Sequence, residues 1–180
     1  MTMSPQNKNV VIFCSASDRI DPKYNEAATA AVHGLCSKGY GIVSGGTVKG
    51  TMRIVSEAVA TCGGHHTGIL PRFMEPLTHP ALDEVVYTDT MSQRKELMRE
   101  GTCACLALPG GIGTLDELIE TLTLRKLGRY GGKVVALDLD GFYAPLRGLL
   151  DHYVKTGMLE EGDRAQIEFP QTVGELLELF

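Results

Sequence analysis

The residues best suited to chemistry lie in a glycine-rich segment, Leu-Pro-Gly-Gly-Ile-Gly-Thr, at positions 108–114. An apolar run precedes this segment and an amphipathic pattern follows it, which predicts a turn between a buried strand and a helix. Glycines let backbone N–H groups approach a ligand without hindrance from a Cβ atom, and a helix N-terminus carries partial positive charge. We therefore expect a phosphate group to be bound here, by Gly110, Gly111, Gly113 and Thr114.

An ordinary capped turn is the alternative, because Thr114 and Glu117 also fit the capping-box pattern. A cap needs no cluster of glycines before it, so phosphate binding is favoured. The segment differs from a P-loop because no lysine follows Gly113 at the required place. Residues 14–17, after the first apolar run, contain no glycine, and no acidic residue ends the second strand. A dinucleotide-binding fingerprint is therefore lacking, and NAD binding is disfavoured.

A second glycine turn, at positions 44–47, offers a similar set of backbone donors. Gly45, Gly46 and Thr47 follow a predicted strand, and Gly50 begins the next predicted helix. Two such turns at strand ends of one sheet favour a ligand site more than one turn alone. The alternative is that this turn only connects a strand to a helix.

Two adjacent cations, Arg94 and Lys95, lie near the start of a predicted helix that begins at Met91. Positive charge there opposes the helix dipole at a cost of about 0.3–1 kcal/mol for each residue, which an anionic partner would offset. Arg94 can hold a phosphate or carboxylate with two hydrogen bonds, but it cannot act as a general acid because an arginine guanidinium stays charged in proteins. The alternative is a solvated helix face with Ser92 as its cap.

Glu117 lies one turn inside the helix that follows the glycine-rich segment, so its carboxylate is expected near the group bonded to the phosphate. If that group is ribose, the carboxylate can hold its hydroxyls, orient water and stabilise oxocarbenium charge at the anomeric carbon. Arg94 is expected to hold the substrate and to keep Glu117 ionised. We interpret Asp116 and Glu120 as charges on the helix surface. The pattern favours hydrolysis of the N-glycosidic bond of a nucleoside 5′-monophosphate.

Alternating strands and helices are predicted to position these residues. Apolar runs rich in β-branched residues predict strands at 10–14, 40–43, 67–70, 84–88, 103–108 and 133–139. Helical spacing of apolar residues predicts helices at 22–38, 50–62, 91–100, 114–127 and 143–155, and a short one from 172. This alternation predicts an α/β, Rossmann-like, doubly wound and mostly parallel sheet with helices on both faces. Ligands bind beyond the carboxyl ends of such strands, where the glycine turns lie.

Length and composition indicate one globular nucleotide-binding domain over residues 1–180, with residues 1–9 as a flexible N-terminus. The chain is 43% hydrophobic and 22% charged, which excludes fibrous and disordered classes. A net charge of -5 and the lack of a basic run disfavour nucleic acid as a partner. No apolar stretch is long enough for a signal peptide or a membrane span, so we expect a cytoplasmic protein without a membrane partner.

Cysteines and histidines give no sign of a disulfide framework or a metal site. Five cysteines are an odd number, and most lie within apolar or helical patterns, which fits a reducing compartment. Cys103 and Cys105 share one face of a strand and are expected in the core. His65 and His66 are consecutive, so in a strand they point to opposite faces and cannot share a metal.

The chain resembles the "lonely guy" family of cytokinin riboside 5′-monophosphate phosphoribohydrolases, long labelled possible lysine decarboxylases. The family motif Pro-Gly-Gly-x-Gly-Thr-x-x-Glu is intact at 109–117, and Met91, Arg94 and Lys95 match its Arg-Lys element. The resemblance extends over about residues 10–150, including Leu-Gly at 127–128 and Asp-Gly-Phe-Tyr at 140–143.

This resemblance implies a homodimer that cleaves a nucleotide into free base and ribose 5-phosphate without a metal or organic cofactor. It implies that Arg94 and Glu117 are catalytic and that Thr123 contacts the substrate. The chain departs from the family at Thr47, where relatives often have a third glycine, at Arg53, where they have glycine, and at Leu124, where they have tryptophan. Adenosine monophosphate is therefore a candidate substrate beside cytokinin nucleotides.

Two other functions stay open at this point. Similar folds carry molybdenum cofactor, so a non-catalytic module that binds a nucleotide or a phosphorylated cofactor is the main alternative. A lysine decarboxylase would need pyridoxal phosphate on a Schiff-base lysine. Lys95 and Lys133 lie near predicted strand ends, but nothing in the sequence marks either as desolvated, so this function is disfavoured.

Overall fold

The computed structural model describes residues 8–180, in which strands and helices alternate along the chain. The strands are β1 (Asn9–Phe13), β2 (Gly41–Ser44), β3 (His66–Pro71), β4 (Glu84–Thr88), β5 (Thr102–Ala107), β6 (Lys133–Ala136) and β7 (Ile167–Glu168). The α-helices are α1 (Pro22–Ser37), α2 (Gly50–Cys62), α3 (Met91–Arg99), α4 (Ile112–Lys126), α5 (Ala144–Lys155), α6 (Glu161–Arg164) and α7 (Val173–Glu178). A 3-10 helix, Arg72–Leu77, follows β3.

We expected residues 1–9 to form a flexible N-terminus. Residues 1–7 of this segment lie outside the described residues. Its last residue, Asn9, is the first residue of β1 and pairs with Gly41 of β2 and with Thr102 of β5. At that residue the expectation was wrong, because the backbone already belongs to the sheet.

The seven strands form one sheet in the order β4-β3-β2-β1-β5-β6-β7, and every pair of neighbours is parallel. The predicted Rossmann-like fold is therefore confirmed. The strand order reverses direction between β1 and β5, and a crevice opens at such a switch point beyond the carboxyl ends of the strands. The loops after β1, β2 and β5 meet at this crevice.

Alternate side chains of β1 show how the two faces of the sheet are covered. Val10 and Ile12 pack into one hydrophobic cluster with α1, α2 and α7. Val11 and Phe13 pack into a second cluster on the other face, with apolar side chains of α3, α4 and α5. Successive strand residues point to opposite faces, so a strand buried on both faces is apolar throughout.

Most strands and helices begin and end within one residue of their predicted bounds, and the larger differences are at α4, at β6 and in two short elements. Helix α4 begins at Ile112, two residues before the predicted start. Strand β6 ends at Ala136, whereas the predicted strand continues to Leu139, where a short 3-10 helix begins. Helix α6 and the two-residue β7 were not predicted, because elements of four and two residues are too short to show a period. No helix within residues 8–180 is both long and apolar enough to cross a membrane.

Candidate active site

A cleft of about 360 Å³ lies at the carboxyl ends of β1, β2 and β5. Among the described residues, its lining carries one cation, Arg94, and one carboxylate, Glu117. The remaining lining is mostly apolar or backbone, and consists of Ile12, Phe13, Cys14, Ser15, Ala16, Ser17, Gly45, Thr47, Met52, Met74, Met91, Met98, Gly111, Ile112, Gly113 and Thr114. One ion pair therefore lies in an otherwise uncharged cavity.

The glycine-rich segment opens the backbone of α4 toward the cleft. Gly111 is the N-cap residue, it has no side chain to cap the helix, and Leu115 N donates the first helical hydrogen bond to Gly111 O at 3.0 Å. The N–H groups of Ile112, Gly113 and Thr114 precede that bond and have no carbonyl within the helix. A Cβ added at Gly111 or Gly113 would meet no atom within 4 Å, so both glycines border open space. These donors can bind an anion.

Gly110 has a different role, because it makes room for Thr114. A Cβ at Gly110 would lie 2.2 Å from Thr114 Oγ1. Thr114 is the third residue of α4 and is buried, and its hydroxyl has no hydrogen-bond partner among the described residues. The capping-box alternative for Thr114 and Glu117 was therefore wrong, since the helix begins two residues earlier. The unpaired hydroxyl stays available to a bound ligand.

The second glycine turn contributes Gly45 and Thr47 to the cleft, whereas Gly46 is absent from its lining. A Cβ at Gly45 would lie 2.4 Å from Arg94 Nη2, so this glycine leaves space for the guanidinium. Gly46 has φ of 64°, and a Cβ there would lie 2.9 Å from the Cα of Gly68 in β3. Gly45 therefore borders the site, and Gly46 shapes the turn behind it.

The loops after β1 and β2 are held together at Gly50. Its N–H donates to Asp18 Oδ1 at 3.0 Å, and Thr51 N donates to Ser15 O at 2.9 Å. Gly50 has φ of 51°, and a Cβ there would lie 2.6 Å from the carbonyl carbon of Ala16. The close approach of the two backbones fixes one wall of the cleft.

Arg94 and Glu117 form a buried ion pair between α3 and α4. Arg94 Nη1 lies 2.9 Å from Glu117 Oε1, and Arg94 Nε donates to Ile69 O in β3 at 3.0 Å. The two residues are only 7% and 9% exposed. Thr90, rather than Ser92, caps α3, since its hydroxyl accepts from Gln93 N at 3.1 Å. The interpretation of Arg94 as part of a solvated helix face is therefore wrong.

Burial raises the pKa of the Glu117 carboxyl above its ordinary value of 4.5, and the Arg94 guanidinium offsets part of that rise. The sequence had suggested that Arg94 keeps Glu117 ionised, but desolvation is the larger effect. A carboxyl group with a raised pKa exchanges a proton more readily near neutral pH than an exposed glutamate does. The site therefore holds one group suited to proton transfer.

Lys95 and Thr123 lie outside the cleft. Lys95 Nζ forms ion pairs with Asp116 and Glu120 of α4, and Thr123 Oγ1 donates to Ile119 O at 2.8 Å. Lys95 and Thr123 line a neighbouring groove of about 580 Å³. The chain therefore brings Arg94, Glu117, Met91 and the two glycine loops together, and places Lys95 and Thr123 on the far side of α4.

Three methionine side chains of the cleft were not singled out from the sequence. Met98 follows Arg94 by four residues, so both lie on one face of α3, and Met52 lies in the first turn of α2. These two positions could have been found from helical spacing. Met74 lies in the 3-10 helix after β3, where no sequence period pointed to the site.

His65 and His66 do not line the cleft, and their surroundings differ. His66 is buried with Nε2 2.7 Å from Ser44 Oγ, whereas His65 is exposed beside Asp83 and Glu84. Within residues 8–180, no group of three His, Cys, Asp or Glu side chains is arranged to hold a metal ion.

Known proteins share both the sequence pattern and the fold of this chain. The family described as "possible lysine decarboxylase" matches residues 52–180. The chain is 34% identical over 174 residues to the cytokinin riboside 5′-monophosphate phosphoribohydrolase LOG2 of Arabidopsis thaliana, covering 96% of this chain and 82% of that protein. It is 36% identical over 172 residues to LOG3 of the same species, covering 94% and 80% of the two chains.

Solved structures show the same fold at lower identity. The molybdenum cofactor binding protein from the phototrophic bacterium Rippkaea orientalis superposes with a TM-score of 0.73 and 20% identity, over 96% of this chain and 94% of that one. This likeness concerns the fold alone. The sequence relatives decide the family: the chain belongs to the possible lysine decarboxylase family, together with the cytokinin riboside 5′-monophosphate phosphoribohydrolases.

Proposed function

We propose that this chain is a phosphoribohydrolase, which cleaves the N-glycosidic bond of a nucleoside 5′-monophosphate to release free base and ribose 5-phosphate. The observation that carries the proposal is the buried pair of Arg94 and Glu117 in the same cleft as the open N-terminus of α4. The activity named for the relatives supports it, since more than nine-tenths of this chain aligns with them at 34–36% identity.

The phosphate is assigned to the N-terminus of α4. The N–H groups of Ile112, Gly113 and Thr114 and the unpaired Thr114 hydroxyl supply donors there, and the helix dipole favours an anion. Because Gly111 and Gly113 carry no side chain, the phosphate oxygens approach the backbone directly. This grip fixes the ribose relative to the side chains farther along the helix.

Glu117, which lies in the second turn of α4, is assigned to the reacting centre. As the bond to the base breaks, positive charge develops on the ribose ring, and the ionised carboxylate stabilises it in a cavity whose lining is mostly apolar. A water molecule then forms the new bond to the anomeric carbon and gives up one proton, which Glu117 accepts and later returns to solvent. The departing base takes up one proton from solvent, so the two protons balance. Arg94 positions the carboxylate and presents Nη2 beside Gly45 to the substrate.

The base is assigned to the apolar part of the cleft. Met52, Met74 and Met91 offer flexible and polarisable surfaces that adapt to a flat ring and to an apolar substituent on it. We infer that the base is adenine or an N6-substituted adenine of the cytokinin type, as in the substrates named for the relatives.

The test is a base-release assay with the purified protein and a panel of nucleoside 5′-monophosphates, read by chromatography. The proposal expects free base and ribose 5-phosphate in equal amounts from at least one adenine nucleotide. Glu117→Gln is expected to bind the nucleotide but release no base, while Asp116→Asn, which alters an exposed neighbouring carboxylate, retains turnover. Binding without base release by the wild-type protein would instead support the alternative, a non-catalytic nucleotide or phosphorylated-cofactor carrier.

The decarboxylase function has little support from Lys95. Its amine is hydrogen-bonded to Glu120 and Asp116, and these contacts raise its pKa above the ordinary value of 10.5. A Schiff-base lysine must lose its proton to attack an aldehyde. A lysine held in its charged form by two carboxylates is poorly suited to that chemistry.

We infer that the protein is a cytoplasmic homodimer. Leu115 in α4 and Leu149 and Tyr153 in α5 are exposed apolar side chains around a groove of about 280 Å³, a surface that a second copy would cover. The five free thiols fit a reducing compartment. Light scattering after size-exclusion chromatography would measure twice the mass of 19.4 kDa for the dimer, and Leu149→Glu is expected to reduce it to that of one chain.

A further inference from the structure

Two cysteine side chains meet where α1 and α2 end. Cys36 lies in the last turn of α1, Cys62 is the last residue of α2, and the two thiols are neighbours whose interaction contributes to a raised pKa of Cys36. The Cys62 thiol also donates to Val59 O at 3.3 Å. Both cysteines are free thiols, and neither lines the cleft.

The backbone at the end of α2 brings the two sulfurs together. Helices α1 and α2 pack into one hydrophobic cluster on the same face of the sheet, and Cys36 packs against that cluster. Gly63 follows the last residue of α2 as its C-cap and has φ of 68°, and Gly64 N donates back to Val59 O at 3.1 Å. A Cβ at Gly64 would lie 2.7 Å from Cys36 Sγ. The glycine therefore leaves the space that the Cys36 sulfur occupies.

The two thiols differ in access to solvent. Cys62 is exposed, whereas Cys36 is partly buried. Burial is the main cause that raises the pKa of Cys36 to about 12, and the neighbouring Cys62 thiol is the second cause. Burial also raises the pKa of Cys14, Cys103 and Cys105, which disfavours their reactive thiolate forms. Among the five cysteines, Cys62 is therefore the thiol that an oxidant in solution meets first.

We propose that Cys36 and Cys62 form a reversible disulfide that joins the C-terminal ends of α1 and α2. The oxidant is a low-molecular-weight disulfide. The Cys62 thiolate attacks one of its sulfurs and releases one thiolate, which leaves a mixed disulfide on Cys62. Cys36, which lies beside this mixed disulfide, then attacks the Cys62 sulfur and releases the second thiolate, and the Cys36 proton passes to that departing thiolate. Because the step is intramolecular, it proceeds although the pKa of Cys36 is raised. Two protein thiols are oxidised to one disulfide, and one small disulfide is reduced to two thiols.

The cross-link lies at the opposite end of the sheet from the cleft. The C-terminal ends of α1 and α2 lead into the starts of β2 and β3, while the cleft lies at the carboxyl ends of the strands. Closing the segment between positions 36 and 62 restricts the unfolded chain, so oxidation is expected to raise Tm by about 5–10 °C. The modification therefore acts on stability rather than by blocking the site.

The experiment treats the whole protein with oxidised glutathione at neutral pH and analyses tryptic peptides without reductant. The expected result is a disulfide-linked pair of peptides 24–38 and 54–72, which contain Cys36 and Cys62. The protein loses the mass of two hydrogen atoms, and dithiothreitol reverses both this change and the rise in Tm. The Cys36→Ser variant is expected to carry one glutathione on Cys62 and to react no further. The Cys62→Ser variant is expected to remain unmodified at Cys36.

Three results would overturn the proposal. The first is a wild-type protein that keeps glutathione on Cys62 without forming the internal disulfide, which would show that Cys36 does not attack. The linked peptides could instead contain another cysteine, or join Cys62 residues of two chains, as a doubled mass on a non-reducing gel would reveal. Complete resistance of both thiols to oxidation would equally contradict it.

Discussion

Arg94 Nη1 lies 2.9 Å from Glu117 Oε1, across the gap between α3 and α4 and at the base of the cleft. The pair is held from both sides, because Arg94 Nε donates to Ile69 O in β3 and Gly45 leaves space for Nη2. A contact with β3 and the space left by the turn after β2 thus hold the Arg94 guanidinium beside one carboxylate, in a cavity whose other walls are mostly apolar. The predictions below test what this carboxylate does and what holds it.

Replacing Glu117 with glutamine is expected to reduce kcat for base release by about 10²–10⁴-fold, because the amide carries no charge and accepts no proton. Nucleotide binding, measured by calorimetry, should change only a few-fold, since the phosphate is assigned to the backbone of α4. Asp116→Asn is the control, because that carboxylate is exposed and pairs with Lys95 outside the cleft. Equal losses in the two variants would contradict the role of Glu117.

Gly45→Ala tests whether the second glycine turn positions Arg94. The new Cβ would lie 2.4 Å from Arg94 Nη2 and 2.7 Å from Met52 Sδ, so the guanidinium must move away from its place beside Glu117. A displacement of this kind is expected to lower kcat/KM by about 10–100-fold. Gly148→Ala in α5 adds the same methyl group where no atom lies within 4 Å, and should leave activity unchanged.

Gly110 and Gly111 are adjacent, but their substitution by alanine should have different effects. A Cβ at Gly110 would lie 2.2 Å from Thr114 Oγ1, so this variant is expected to lose about 1–3 kcal/mol of unfolding free energy. A Cβ at Gly111 meets nothing within 4 Å, so stability changes by less than about 1 kcal/mol. The methyl group at position 111 crowds the phosphate site instead, and raises KM. Urea unfolding measures the change in stability, and steady-state kinetics measure the change in KM. Equal changes in both quantities for the two variants would contradict the separate roles of Gly110 and Gly111.

The pH dependence of activity is expected to follow Glu117. Burial raises the pKa of its carboxyl above 4.5, and the ionised form is the one that stabilises the transition state. Activity should therefore rise with pH through a midpoint above 4.5. Because the Arg94 charge lowers the pKa of Glu117, Arg94→Met should shift the midpoint of its residual activity to higher pH, and Arg94→Lys should shift it less. A shift to lower pH in the Met variant would show that another group controls the profile.

The sequence was sufficient for the parts of the fold and site that depend on long elements. Apolar runs such as β1 and β5 identified the parallel sheet, and the glycines after Leu108 lie where the strand order reverses. Lys95 lies outside the cleft because adjacent helix residues point about 100° apart, so Arg94 faces the cleft and Lys95 faces the neighbouring groove on α4. Thr123 follows Glu117 by six residues, a rotation of about 240° that carries it away from the cleft. The raised pKa of Glu117 depends on burial, which a sequence pattern does not measure.

His66 is buried and its neighbour His65 is exposed. The burial of His66 predicts how the free energy of unfolding depends on pH. His66 is buried, its Nε2 lies 2.7 Å from Ser44 Oγ, and its Nδ1 has no partner among the described residues. Burial lowers the pKa of His66 from 6.5 to about 4. His65 has a side chain that is 57% exposed.

Between pH 6.5 and about pH 4, the unfolded chain binds a proton at His66 that the folded chain does not bind. The free energy of unfolding must therefore fall as pH decreases through this window, by about 3 kcal/mol from this residue. His66→Gln removes the titrating group, so its unfolding free energy should fall about 3 kcal/mol less than that of the wild type between pH 7 and pH 4. His65→Gln should retain the wild-type slope. Urea unfolding at several pH values measures the free energy of unfolding of all three proteins. If this free energy has the same slope with pH in His66→Gln as in the wild type, the His66 ring of the wild type titrates equally in the folded and the unfolded chain.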